Sequence, residues 1–274
     1  MGFRIQNNIA AMNAQRNLNV SDSGLSKSLE RLSSGYRINS AKDDAAGLAI
    51  SQGFRADIAS AKVAQRNISE ANALLQTADG AMNSVGDILT RMKELATQAA
   101  SANVGTDIDK VAAEYDSLIG EIDRIADSTM YAGTVLTDGT FTAQAFQVGY
   151  EGTAALSQIS VDVDAIDSGT LGLAAGDIAT AADALTAMGT IDDAISTLAT
   201  SRGAVGAVQN QLGYAASNLA ITIENFSAAE SVIRDVDMAA EMTSFTKNQI
   251  LVQAGVSMLA QANMSPQNVL SLFK

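Results

Sequence analysis

From Phe54 to Ala99 the apolar positions recur in alternating steps of three and four residues. Phe54, Ala61, Ala64, Ile68, Ala71, Leu75, Ala78, Met82, Val85, Leu89, Met92, Ala96 and Ala99 make one seam, with Asp57 its polar member. Such spacing puts every seam residue on one face of a slightly supercoiled helix. It predicts a helix over about residues 43–101, roughly 85 to 90 Å long at 1.5 Å per residue. The stretch SANVGTD then reads as a loop, with Thr106 and Asp109 as a cap pair. Ile108, Val111, Tyr115, Leu118, Ile122 and Ile125 continue the spacing in a further helix. A second long seam comes late in the chain: Ile191, Ile195, Leu198, Arg202, Val205, Gln209, Leu212, Ala216, Leu219, Ile223, Phe226, Glu230 and Ile233.

Between Tyr131 and Ile166 the period drops to two. Phe146, Val148 and Tyr150 alternate with polar or small residues, as do Ile159, Val161 and Val163, and Thr137-Asp138-Gly139-Thr140 reads as a hairpin turn. A small antiparallel β unit is expected there. Residues 167–189 have no single period and many small residues, so they read as the least constrained stretch and as the tip of the molecule.

The two ends carry shorter stripes. Ile5, Ile9 and Met12 begin one that shifts phase near Gln15 and resumes at Leu18, Leu25, Leu29 and Leu32; its other face holds Asn7, Asn8, Asn13, Arg16 and Asn17. A face polar by amide more than by charge suits a crowded interface. The joint that ends this arm is LSSGYRINSAKDDAAGLAIS, residues 32–51, where Ser33-Ser34-Gly35 breaks the helix and Ser40 or Asp43 can cap the next one. After Arg234 the second long seam slips, and Met238, Met242, Phe245, Gln249, Val252, Val256 and Leu259 open a C-terminal stripe. Ser265 and Pro266 suit the N-cap and first residue of a final short turn. The chain thus goes out and comes back: short arm, long helices, β unit, long helix, short arm. The expected fold is mainly α, an elongated bundle of long antiparallel coiled-coil helices with a small antiparallel β-hairpin unit. If the arms pair with each other, Ile250, Leu251, Leu270, Leu272 and Phe273 find no cover within one chain, and the arms should order only against other copies.

Composition narrows the function. The 274 residues are 47% hydrophobic yet only 4% aromatic, with one proline and no tryptophan, cysteine or histidine. That excludes disulfides, thiol nucleophiles and histidine bases, and leaves no ordinary zinc or transition-metal ligand set. A net charge of −13, from 30 acidic and 17 basic side chains, opposes nucleic acid and anionic membrane surfaces as partners. MGFRIQNNIAAMNAQ lacks the apolar run and cleavage site of a secretory signal, and no stretch is apolar enough for a membrane span. No cofactor is expected.

LERLSSGYRINSAKDDAAGLAIS, SRGAVGAVQNQLG and QAGVSMLAQANMSPQNVLSLFK, in this order, resemble bacterial flagellin, with similarity over about residues 1–165 and 190–274. The resemblance implies a subunit that polymerises into the extracellular filament. It implies an inner-core domain, D0, from residues 1–42 and 235–274, and an outer-core domain, D1, from 43–166 and 190–234. Residues 167–189 stand where larger flagellins insert outer domains. The polymerisation residues carried over to the arms are Ile5, Ile9, Met12, Leu18, Leu25, Leu29, Leu32, Met242, Phe245, Val252, Val256, Leu259, Leu270 and Leu272. The implied partners are other copies of the chain, the filament cap, the hook–filament junction proteins and an export chaperone on the C-terminal arm, with secretion unfolded and uncut through the flagellar type III apparatus. LTRMKELATQ and Glu114 resemble the surface seen by the vertebrate flagellin-sensing Toll-like receptor, with Arg91, Leu95 and Glu114 at the matching positions; Leu95 lies off its seam beside Met92 and Ala96, where it can equally pack inside the bundle.

Two other classes remain to be weighed. A coiled-coil adaptor or chaperone could bind partner helices with the same seams; a fixed small oligomer rather than seeded growth would mark it. An enzyme fares worse. Asp43 with Asp44, and Glu121 with Asp123, are too close in sequence to face each other on a helix, and GTLGLAAG has the wrong glycine spacing for a dinucleotide loop.

Overall fold

The computed structural model describes residues 7–101, 108–176 and 178–271, with side chains up to Met264 in the last helix. The candidate positions Ile5 and Leu272, together with Phe273 and the Thr106 half of the expected cap, lie outside the described residues, as does the side chain of Leu270. The elements are α1 (Ile9–Ser34), α2 (Ala45–Ala99), α3 (Ile108–Ser128), β1 (Met130–Tyr131), β2 (Thr134–Val135), β3 (Gln144–Gln147), α4 (Ala154–Ser157), β4 (Gln158–Val161), α5 (Ala181–Arg234) and α6 (Met238–Ser271). They form two compact units, one of residues 1–56 and 225–274, the other of residues 57–224. The borders fall inside α2 and α5, whereas the sequence pattern put its borders at the helix ends. The first turns of α2 and the last turns of α5 explain the difference, because they pack on each other: the Phe54 and Phe226 rings lie 5.5 Å apart, and Arg55 reaches Glu230 at 3.8 Å.

In the second unit the expected seam of α2 is the core. Every seam member from Ala61 to Ala99 is at most 2% exposed. Its alanines let neighbouring helices come close, and its leucines and methionines fill the space between. From α3, Val111, Tyr115, Ile119, Ile122 and Ala126 join this core. From α5 come Ala184, Ala187, Ile191, Ala194, Leu198, Val205, Leu212 and Leu219. Polar links cross the same helices: Arg202 to Asp79 at 2.9 Å, Lys93 to Asp192 and Arg91 to Glu114 at 2.8 Å.

The β unit is two separate antiparallel pairs, β1 with β2 and β3 with β4. The β1–β2 turn is Ala132-Gly133, both at positive φ, as a two-residue type I′ turn requires. Thr137-Asp138-Gly139-Thr140 turns the chain but does not join paired strands. Its Thr137 is buried and donates to the Ala126 carbonyl at 2.9 Å, tying the turn to α3. Phe146 faces Ile159 across β3 and β4, and the alternation continues inward through the buried Val161, Val163 and Ile166.

Residues 167–189 are more constrained than their composition suggests. Leu171, Leu173 and Ile178 are buried in the core. Asp123 of α3 accepts from the Ser168 N–H and hydroxyl at 2.8 and 3.0 Å, and Asp116 accepts from the Gly176 N–H at 2.8 Å. Helix α5 starts at Ala181 rather than near Ile191, because Ala184 and Ala187 already sit on the seam where small side chains fit. Likewise α6 runs unbroken through Ser265 and Pro266, where the pattern predicted a new cap and turn. A proline inside a helix removes one intrahelical hydrogen bond. The carbonyl concerned, that of Ala262, takes the Asn8 side chain as its donor instead, at 2.8 Å.

Candidate functional site

The segment that ends α1 and the one that ends α5 meet at the joint. Gly35 closes α1 in the left-handed conformation, φ 75°, with its N–H on the Arg31 carbonyl. The next residue makes an antiparallel bridge with Asp235: Arg37 N–H donates to the Arg234 carbonyl at 2.6 Å, and Val236 N–H to the Gly35 carbonyl at 3.0 Å. Side chains reinforce this crossing. The Arg234 guanidinium lies 4.2 Å above the Tyr36 ring, and the Arg37 guanidinium donates to the Ile233 carbonyl. Asp44, rather than Ser40 or Asp43, caps α2, accepting from the Gly47 N–H at 2.9 Å. Asp43 is used otherwise. It pairs with Lys27 at 2.8 Å and accepts from the Ser40 N–H and hydroxyl. The Lys27 contact first, and the Ser40 bonds after it, lower the Asp43 carboxyl from 3.8 to about 2.

From this crossing α1 and α6 run side by side, antiparallel. The half-buried or buried positions of α1 are Ala11, Ala14, Leu18, Ser21, Leu25, Ser28 and Leu32, with Gly24 and Arg31 beside them; those of α6 are Glu241, Phe245, Asn248, Val252, Gly255, Leu259 and Ala262. Both sets step by three and four, so each is a seam. Small residues oppose large or polar ones across it. A β-carbon on Gly24 would fall 2.9 Å from the Asn248 amide, and one on Gly255 3.1 Å from Leu18. Arg31 reaches Glu241 at 3.4 Å.

This geometry divides the candidate arm residues into two faces. Leu18, Leu25, Leu32, Phe245, Val252 and Leu259 lie on the seam between the helices. Ile9, Met12, Leu29, Met242 and Val256 face outward and are 49% to 67% exposed. Ile250, Leu251, Met258 and Met264 join that outer set. The phase shift near Gln15 is therefore the crossing from one stripe to the other. The signal that finds the inner seam is the seven-residue recurrence of alanine, serine and glycine, residue types that do not read as a hydrophobic stripe. Beside α1 and α6 an open groove is lined by Met12, Gln15, Arg16, Asn19, Val20 and Leu259, mixing apolar and amide surface as the first arm's pattern does.

The second candidate face is on α2 and α3. Arg91 donates through Nε and Nη2 to Glu114 at 3.1 and 2.8 Å, and through Nη1 to Glu94 at 2.9 Å. Those contacts, Glu114's ahead of Glu94's, raise the guanidinium above its ordinary range. All three side chains are about half exposed or more, so the pairs are salt-screened and add little stability. Leu95 is not part of that surface. It is 1% exposed, on a second stripe with Leu74, Ala81 and Ile88, seven residues apart. Ala81 and Ile88 line the groove against α3. A helix that packs on two neighbours needs a wider apolar face than a single seam supplies.

Among the described residues no helix is long and apolar enough to cross a membrane. Residues 5–142 match the bacterial flagellin N-terminal helical region, and residues 188–273 the bacterial flagellin C-terminal helical region. The chain is 40% identical to the flagellin of Bacillus subtilis (strain 168), across 99% of this chain and 100% of that one. It is 44% identical to the flagellin of Halalkalibacterium halodurans, across 98% and 99%. A putative flagellar hook-associated protein from Vibrio parahaemolyticus is similar in fold, with TM-score 0.56 at 14% identity over 70% of this chain and 99% of that one.

The joint makes a pH prediction. A carboxyl lowered in the folded state adds stability above its unfolded value and loses it as pH falls through the folded one. The Asp43 contribution should therefore be complete above about pH 4 and disappear towards pH 2. Carboxyl-carbon NMR should give Asp43 a midpoint near 2, moved back up towards 3.8 in Lys27→Ala; an unshifted midpoint in both proteins would remove the ion pair from the joint.

Proposed function

The chain belongs to the bacterial flagellin family, so it is a structural protein that polymerises into the flagellar filament of motility and is not an enzyme; on that premise we propose how its parts divide the work. Residues 1–42 and 235–274 form the inner-core domain and make the polymer. Residues 43–166 and 190–234 form the outer-core domain, and 167–189 take the place of outer domains. The observation that carries this reading is the outward stripe left when α1 and α6 pair. Isolated exposed apolar residues are ordinary, but Ile9, Met12, Leu29, Met242, Val256 and Met258 repeat along two adjacent helices, a pattern typical of an interaction surface. Contacts made by one face of a subunit to a different face of the next need not close, and so generate a helix.

The remaining partners follow from the same exposed stripe and from the family. A cytoplasmic export chaperone covers the apolar face of the C-terminal arm until the chain leaves, unfolded and uncut, through the type III channel. The cap folds it at the growing end, and hook–filament junction proteins receive the first subunits. The vertebrate flagellin-sensing Toll-like receptor engages the α2–α3 face. Support for that contact is the exposed Arg91–Glu114 pair, which offers charge complementarity. Leu95 is buried and holds α2 in place rather than meeting a partner directly.

Chains lacking residues 1–36 or 240–274 should keep a folded helical core and remain monomeric when seeded with filament fragments. Sedimentation of normal filaments from either truncation would take the arms out of assembly.

The receptor face separates by variant. Arg91→Ala and Glu114→Ala should weaken binding of monomers to the receptor ectodomain while leaving the melting temperature nearly unchanged. Leu95→Ala should destabilise the fold by about 2 to 5 kcal/mol, as buried leucine truncations do. Wild-type affinity in a folded Arg91→Ala, Glu114→Ala double variant would show that this face is not the contact.

A further inference from the structure

Asn8 does two jobs with one amide. It is the N-cap of α1, its Oδ1 accepting from the Ala11 N–H at 3.1 Å. Its Nδ2 donates to the Ala262 carbonyl at 2.8 Å, 254 residues along the chain. In a regular helix that carbonyl takes the N–H four residues on, and here that position is Pro266, the only proline in the sequence. Proline has no N–H, yet α6 continues past it to Ser271. The carbonyl that α6 is chemically bound to leave open ahead of its last turn is thus the one the opposite arm reaches.

We infer that Asn8 is a positioning residue for filament assembly, locking the register of α1 against α6 by filling the hydrogen-bond vacancy that Pro266 creates at Ala262. Residue chemistry fits. Serine or aspartate caps a helix as well as asparagine does, but among the good capping residues only asparagine has an acceptor for the cap and an amide donor to spare. The lock also agrees with the rest of the pairing. Shifting α6 by one turn would carry Ala262 beyond Asn8, and would move Asn248 from Gly24 and Leu18 from Gly255, the two places on the seam where a β-carbon would come closer than ordinary van der Waals contact. A register fixed at both ends, by the main-chain bridge at Tyr36 and by Asn8, sets which residues form the outward stripe. The inference rests on the reading of the arms as the assembly element.

The test is a cycle of Asn8→Ser, Pro266→Ala and the double variant, with the critical concentration for seeded assembly read by sedimentation. Asn8→Ser keeps a capping oxygen but is too short to reach Ala262, so it should raise the critical concentration about tenfold, the scale set by one carbonyl left without its partner. Pro266→Ala restores an N–H for the Ala262 carbonyl and should assemble near the wild-type threshold. In that background Asn8→Ser should cost less than about twofold. The inference is overturned if Asn8→Ser assembles like wild type, or if it loses as much in the Pro266→Ala background as it does alone, because the lost contact would then not be the one to Ala262. Failure of the underlying reading looks different: the arm-truncated chains would form filaments.

Discussion

Two main-chain hydrogen bonds at the joint, between residues 35–37 and 234–236, hold the rest of the first unit in order. They bring together segments far apart in the chain and set them antiparallel, so that everything outward along α1 meets everything onward along α6. A left-handed Gly35 makes the turn possible, and Asp44 starts the next helix. The side chains around the crossing act on it: Arg234 over Tyr36, Arg37 on the Ile233 carbonyl, Lys27 on Asp43.

The antiparallel pairing explains the character of the two arms. Their shared seam is built from alanine, serine and glycine as much as from leucine, which lets the helices approach closely but buries little apolar area. A second set of large apolar side chains, Ile9, Met12, Leu29, Met242, Ile250, Leu251, Val256 and Met258, lies on the outside, whereas the α2 seam of the second unit keeps its leucines and methionines within. One chain therefore holds a buried core in its second unit and a pair of arms that leaves a stripe of apolar side chains exposed.

How legible this was in the sequence depended on residue size and on the number of neighbours. The α2 seam from Ala61 to Ala99 could be read directly, because a long helix in a bundle keeps a strict repeat. Leu95 was harder to place, since its stripe with Leu74, Ala81 and Ile88 emerges only when α2 is given a second neighbour. The large members of the arms' inner seam, Leu18, Leu25, Leu32, Phe245, Val252 and Leu259, stood in the stripes read from the sequence, but its small residues did not, and Ile9, Met12, Leu29, Met242 and Val256 mixed the outer face into the same stripes. The start of α5 was missed for the same reason, as Ala184 and Ala187 look unpatterned until a close-packed core requires them. At Pro266 the local rule predicted a break, and a tertiary hydrogen bond from Asn8 overrode it. The exposed Arg91–Glu114 pair could be singled out only through the family resemblance, because periodicity says nothing about which solvated charges come together.

The chain's own methionines allow the most direct measurement. Met12, Met242, Met258 and Met264 lie on the outer face of the arms and are about half exposed or more, whereas Met82 and Met92 are fully buried in the second unit. Dilute peroxide converts an accessible thioether to its sulfoxide at a rate set by exposure, and peptide mass spectrometry reads each site. If assembly covers the outward stripe, oxidation of those four methionines should be at least about tenfold slower in filaments than in monomers, with Met82 and Met92 slow in both. Equal rates for the four in filaments and monomers would contradict the account, because the outer face of the arms would then still be open to solvent after the polymer had formed.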